Sequence, residues 1–147
     1  MKSYFQKAER YRMIFAFIAL LLFFASLGCE CFCTINKCRL GIDAFVSGFF
    51  AMFSGGAALT WSANAFLLVA FILTFKGSKY SIIFSIISTI ICFSFLSFDK
   101  IIEDEAGNYG KIIGYKIGFW LWASSAVVLV FCNFLFKKVV EVANDQF

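Results

Sequence analysis

Four long apolar runs divide the chain, and the polar residues collect between them. The runs cover residues 13–28, 44–75, 80–98 and 114–136. A hydrocarbon core of ~30 Å takes about 20 helical residues, so the third and fourth runs each suit one crossing. The first reaches a full crossing, residues 12–28, if Tyr11 and Arg12 snorkel to the interface. The second holds thirty-two residues without one charged side chain. As one straight helix it would reach roughly 48 Å, so it must bend. The break is expected at Ser54-Gly55-Gly56, because paired glycines free the backbone and apolar helices kink there. Residues 44–56 are then a short re-entrant or interfacial helix, and residues 59–75 the crossing proper. Ser47, Ala51 and Gly55, at i, i+4 and i+8, would let the short helix press closely onto neighbours. Irregular backbone at membrane depth needs protein cover, so residues 44–58 should pack against the bundle instead of facing lipid.

The expected fold is all-α, a single polytopic membrane bundle of four transmembrane helices plus that short helix. Loops 29–43 and 99–113 fall on one side, taken as the outer side. Composition agrees: 62% of the 147 residues are hydrophobic, against ~45–50% apolar residues in a soluble domain. The runs are continuous and do not alternate, which excludes a transmembrane β-barrel. Charge then sets the orientation. Lys2, Lys7, Arg10, Arg12, Lys76, Lys79, Lys137 and Lys138 share one side, and Lys37, Arg39, Lys100, Lys111 and Lys116 the other. The excess places both termini in the cytoplasm. Trp61, Trp120 and Trp122 would lie in an aromatic belt at the outer interface. The net charge of +4 arises at membrane boundaries and is no nucleic-acid footprint.

Candidate chemistry is sparse. The chain has no histidine, which removes the commonest general base and metal ligand. No acid falls in mid-membrane, so proton coupling has no evident residue, and no catalytic, cofactor or metal site is expected. Cys29, Cys31, Cys33 and Cys38 crowd loop 29–43. In an oxidising compartment they are disulfide candidates. Adjacent C-x-C pairs would form strained rings, which favours bonds from Cys38 to Cys29, Cys31 or Cys33. A redox relay would want C-x-x-C and a second cysteine pair in loop 99–113, and neither is present. A four-thiolate zinc site would need a reducing environment and a longer loop. Residues 1–28 also read as a signal sequence ending at Gly28-Cys29, with retention as a membrane span the preferred reading.

Three patterns point to helix packing. Gly110, Gly114 and Gly118 form a doubled G-x-x-x-G leading into the last span, suited to intrachain packing or to a homo-oligomer. Ser81, Ser85, Ser88 and Cys92 share one face of the third span. Their hydroxyls would bond back to helix carbonyls, or else line a polar path. Asn64 and Asn133 lie within spans and each needs a partner; Asn64 would tie down the end of the re-entrant piece. Glu103-Asp104-Glu105 reads as a solvated acidic loop.

Trp61-Ser-Ala-Asn64 and Gly114-Tyr-Lys-Ile-Gly-Phe-Trp-Leu-Trp122 resemble motifs of small bacterial four-span inner-membrane proteins of unknown function. Those carry W-x-A-N-P before one span and G-Y-x-x-G-x-W-L-W at the start of the last; here Ala65 stands in place of the proline. The resemblance spans about half of the chain and implies this topology and a bacterial inner membrane, with no activity. The expected function is therefore a non-enzymatic membrane accessory, interaction or immunity-type protein, partnered by the bilayer, another membrane protein or a second copy, and not by nucleic acid. A membrane thiol-disulfide oxidoreductase is the alternative, and an oligomeric small transporter or channel the second.

Overall fold

A computed structural model describes the backbone of residues 2–103 and 107–144 and the side chains of residues 7–103 and 107–136. Asp104 and Glu105 of the acidic loop, and the side chains of Lys2, Lys137 and Lys138, lie outside the described residues. The helices are α1 (Lys2–Leu27), α2 (Gly41–Ala51), α3 (Ser62–Phe75), α4 (Ser81–Ser94) and α5 (Ile117–Asn144). Short 3₁₀ turns occupy Met52–Ser54, Gly56–Trp61 and Phe95–Ser97. Three helical stretches are long and apolar enough to cross a membrane: Lys7–Leu27, Gly56–Phe75 and Ile117–Phe136. The stretch Ser81–Ser97 is shorter, roughly 25 Å at 1.5 Å per residue, because the chain turns extended at Phe98 and enters a strand.

That strand corrects the all-α expectation. Both polar loops are β-hairpins, formed by β1 (Glu30–Thr34) with β2 (Cys38–Leu40), and by β3 (Lys100–Ile102) with β4 (Tyr109–Tyr115). They join into one four-stranded antiparallel sheet of order β2-β1-β4-β3. Phe32 faces Tyr115 and Cys33 faces Gly114 across the central pair. The local cause is legible in Tyr109-Gly-Lys-Ile-Ile-Gly-Tyr115. Its aromatic and β-branched residues suit a pleated surface, and its alternate positions differ in exposure. The last helix accordingly starts at Ile117, three residues later than the apolar run.

The break in the long second run falls at the paired glycines. Gly55 and Gly56 have φ of +81° and +62°, which only glycine adopts readily. The face of α2 used for packing is not the expected one. Ser47 is exposed, and a Cβ on Gly55 would meet nothing. Close approach occurs instead at Gly41, against the Ser26 carbonyl, and at Gly48, where a Cβ would lie 2.5 Å from the Trp61 ring. Nor is the whole of this stretch covered: Val46 and Phe50 of α2 and Phe53 of the following turn are exposed. An apolar surface helix that borders lipid loses nothing by this, because there is no water to exclude.

The core is built on alanine. Ala16 and Ala19 of α1, Ala70 of α3 and Ala126 of α5 are fully buried, with Leu67, Phe71 and Leu129 filling the space between them. Small side chains let the helix backbones approach, which is how helices associate when lipid is as apolar as leucine. A second cluster, Phe32, Ala57, Phe95 and Phe119, joins the sheet to the helices. The four passages of α1, α3, α4 and α5 put both hairpins at one end of the bundle. The 76–80 turn lies at the other end, where Gly77 packs on Arg12.

Candidate functional site at the sheet end of the bundle

A cavity of about 790 Å³ lies among the sheet, α2 and the sheet-end turns of α1, α3 and α5. Aromatic side chains build its walls. Phe32, Phe95 and Phe119 stack edge-on or tilted with centroids 5.5–5.9 Å apart, and Tyr115 closes on Phe119 at 5.1 Å. Trp61 clamps α2. Its indole N–H donates to the Phe45 carbonyl at 2.6 Å, and its ring lies 5.1 Å from Phe49 and 5.5 Å from Phe45. At the base, the Trp122 indole donates to Asn64 Oδ1 at 2.9 Å. Trp61 and Trp122 are therefore turned into the protein, and of the three only Trp120 is exposed as a belt residue would be.

Lys37, Arg39 and Glu103 fringe the cavity, and Glu103 ties the two hairpins together. Its carboxylate accepts from the Thr34 hydroxyl and, at 2.6 Å, from the Asn36 amide, while its main-chain carbonyl accepts from Arg39. The hydrogen bonds from Thr34 and Asn36, then the charges of Lys37 and Arg39, hold its carboxyl below the usual carboxylate range. Gly110 leaves the room this requires, since a Cβ there would collide with the Glu103 carboxyl. Glu103 is thus a built part of the roof and not a free member of a solvated acidic loop.

The four loop cysteines separate into two kinds. Cys33 and Cys38 are disulfide-bonded at directly opposed positions of β1 and β2. Cys29 and Cys31 are free and half-buried. Cys31 lines the cavity, and burial pushes its thiol up to about 12, so it carries almost no thiolate at neutral pH. Glu30, Cys33 and Cys38 have ligand atoms within 4.8 Å of one another, but the bridge leaves those two sulfurs no thiolate to offer a metal.

The glycine ladder is corrected. Gly110 and Gly114 belong to β4 and only Gly118 to α5. Spacing of four keeps residues on one face of a strand as well as of a helix, so the spacing alone does not choose between them. A Cβ on Gly118 would lie 2.7 Å from the Glu30 carbonyl oxygen, whereas one on Gly114 would meet nothing. Gly118 therefore seats α5 against β1.

A second group of polar helix residues meets away from the cavity. Asn133 Oδ1 accepts from Thr74 at 3.0 Å and Ser81 at 2.9 Å, and its amide nitrogen lies 3.5 Å from the Ser85 hydroxyl. This knot joins α3, α4 and α5. Ser88 donates across to the Ala63 carbonyl at 2.8 Å, while Ser85 bonds back to Ile82 of its own helix. Asn64 reaches Trp122, so it braces α3 to α5 and does not tie down the re-entrant piece. The sequence carries a sign of the alanine contacts in the i, i+3 pairs Ala16/Ala19 and Ala123/Ala126 and the i, i+7 pair Ala63/Ala70, and none of the Glu103 tie.

Fold and site together define a mostly helical chain with three helices of membrane-crossing length and a sheet-roofed cavity at one end. No family model, no curated protein and no solved structure matches it.

Proposed function

We propose that this chain is a non-enzymatic integral membrane protein of the interaction or immunity type, which receives an apolar segment of a partner in the cavity at its sheet end. The cavity carries the reading. Its volume of about 790 Å³ lies in the range of ligand sites, ~300–1,000 Å³. Its aromatic walls and charged fringe suit an apolar group presented on a polar chain. In this reading the protein sits in a bacterial inner membrane with four crossings and both termini cytoplasmic. Ser81–Ser97 is the fourth crossing, accommodated by local thinning of the bilayer. Lys7, Arg10, Arg12, Lys76 and Lys79 at the far end support that orientation. The short Trp61–Asn64 and Gly114–Trp122 motifs, which flank the cavity, support the likeness to small bacterial four-span proteins.

The other two readings draw less support. Thiol exchange needs an attacking thiolate, and the raised Cys31 thiol is a poor one. A polar conduit needs free hydroxyls, and those of Ser81 and Ser88 are bonded within the bundle.

The test is a photo-crosslinking residue at Phe50, on the cavity wall, and another at Leu68, an exposed position on α3, in intact cells. A discrete protein adduct from position 50 alone, lost when Ala51→Trp narrows the cavity, is expected. Identical lipid-only labelling at both positions would overturn the reading.

A further inference from the structure

At the end away from the sheet, Arg12 is 7% exposed although it sits among the first helical turns of the chain. Its guanidinium lies over the Phe136 ring at 4.1 Å. Among the described residues its ion pair is a loose 3.9 Å contact to exposed Glu9. Its Nε and Nη1 groups are buried and have no hydrogen-bond partner among the described residues. A cation in this position is costly unless an acceptor answers it. The aromatic ring occupies the guanidinium face, so the unused donors lie around its edge.

Arg12 also lines a second cavity, of about 350 Å³, with Lys7, Tyr11, Phe15, Cys132, Leu135 and Phe136 around it. Its polar part is Lys7, Tyr11 and Arg12, all toward the chain start. Its remaining wall is apolar, and Phe15 and Leu135 are exposed where that wall meets the surrounding medium. Gly77 packs against one edge of the guanidinium, where a Cβ would come within 3.0 Å of Nη1. A cationic head with an apolar wall running along the bundle is the chemistry of an anionic amphiphile. A free phosphate would use the head and leave the wall unused.

We propose that this cavity binds one anionic glycerophospholipid, its phosphate on Arg12 and Lys7 and an acyl chain along Phe15 and Leu135. The proposal rests on the membrane reading but not on the sheet-end cavity, which lies at the other end of the bundle. The phosphate brings a negative charge to Arg12, whose contact with Glu9 is loose, and it holds α1 to α5 where Cys132 Sγ already reaches the Arg12 carbonyl at 3.3 Å.

The experiment is native mass spectrometry of the full chain released from nanodiscs of phosphatidylcholine with one quarter phosphatidylglycerol. One retained phosphatidylglycerol is expected, with phosphatidylcholine displaced. Arg12→Gln should lower its retention by about tenfold or more, the worth of one charge-assisted pair, and Lys7→Gln by a few-fold. Lys100→Gln, at the sheet end and outside both cavities, should leave it unchanged. Lys7 is exposed, so its variant decides the matter if Arg12→Gln does not fold. Equal retention of both lipids, or phosphatidylglycerol retained alike by wild type and the Lys7 and Arg12 variants, overturns the proposal. Displacement of the lipid by millimolar inorganic phosphate also overturns it, in favour of a soluble anion.

Discussion

Asn133→Leu removes the acceptor that holds three helices together, and its cost follows from the bonds. Asn133 Oδ1 takes the hydroxyl of Ser81 at 2.9 Å and shares that of Thr74 at 3.0 Å. Thr74 keeps a second acceptor, the Ala70 carbonyl at 2.7 Å. Ser81 has no other acceptor among the described residues and is 5% exposed. Interhelical hydrogen bonds within membranes average about 0.6 kcal/mol each, and stranding a buried hydroxyl adds about 1 kcal/mol. Leucine nearly matches asparagine in length, so the cavity term is small. The expected loss is about 2 kcal/mol, read as a shift in the SDS-induced unfolding equilibrium in mixed micelles followed by helical circular dichroism. The sharper measurement is the cycle with Ser81→Ala. If the two side chains share a bond, the double variant should be less destabilised than the sum by about 0.6–1 kcal/mol. Additivity within ~0.3 kcal/mol would refute the knot.

Gly118→Ala should destabilise by about 1–3 kcal/mol, because it drives a methyl into the Glu30 carbonyl, whereas Gly114→Ala should change little; equal effects on thermal unfolding would restore the helical ladder. Reduction of Cys33–Cys38 opens a loop with a sequence separation of 5, worth about 2 kcal/mol of chain entropy. Unfolding with and without reductant measures it, and the alanine-packed helices should stay associated. Glu103 has a folded pKa below its ordinary value of ~4.3, so its tie is in force above that value and is lost as pH falls through the lowered one. Near-ultraviolet circular dichroism should therefore be flat from pH 8 to 5 and change at lower pH, and Glu103→Gln should abolish that step.

What the sequence revealed and what it hid follow from period and length. The bend at Gly55-Gly56 was legible, because thirty-two uncharged residues cannot run straight across a bilayer and two glycines sit in the middle. The positions of the three long helices were legible for the same reason. The strands were not, because a seven-residue segment such as Tyr109–Tyr115 offers too few residues to separate a period of 2 from 3.6, and its glycines fit both. The inward turn of Arg12 was readable in principle. Arg12, Ala16 and Ala19 stand at i, i+4 and i+7, and the two alanines show which face of α1 the bundle buries. Position near a helix end suggested snorkelling instead, and the helix phase prevailed. The bridged cysteine pair depended on strand register, which sequence spacing did not supply.

The pairing of β1 with β4 has a consequence for how the chain is assembled. Its partners, Phe32 with Tyr115 and Thr34 with Ile112, come from hairpins at opposite ends of the polypeptide. The β1–β2 hairpin can form, and its cysteines oxidise, while the ribosome is still making α3. The roof itself must wait until β4 has been made and brought beside β1. Until then Phe32 has no Tyr115 opposite it and no Phe119 beside it. A stalled or truncated product ending before Tyr109 would lack both β4 and α5, leaving Phe32 and the buried alanine faces of α1 and α3 open to quality-control proteases.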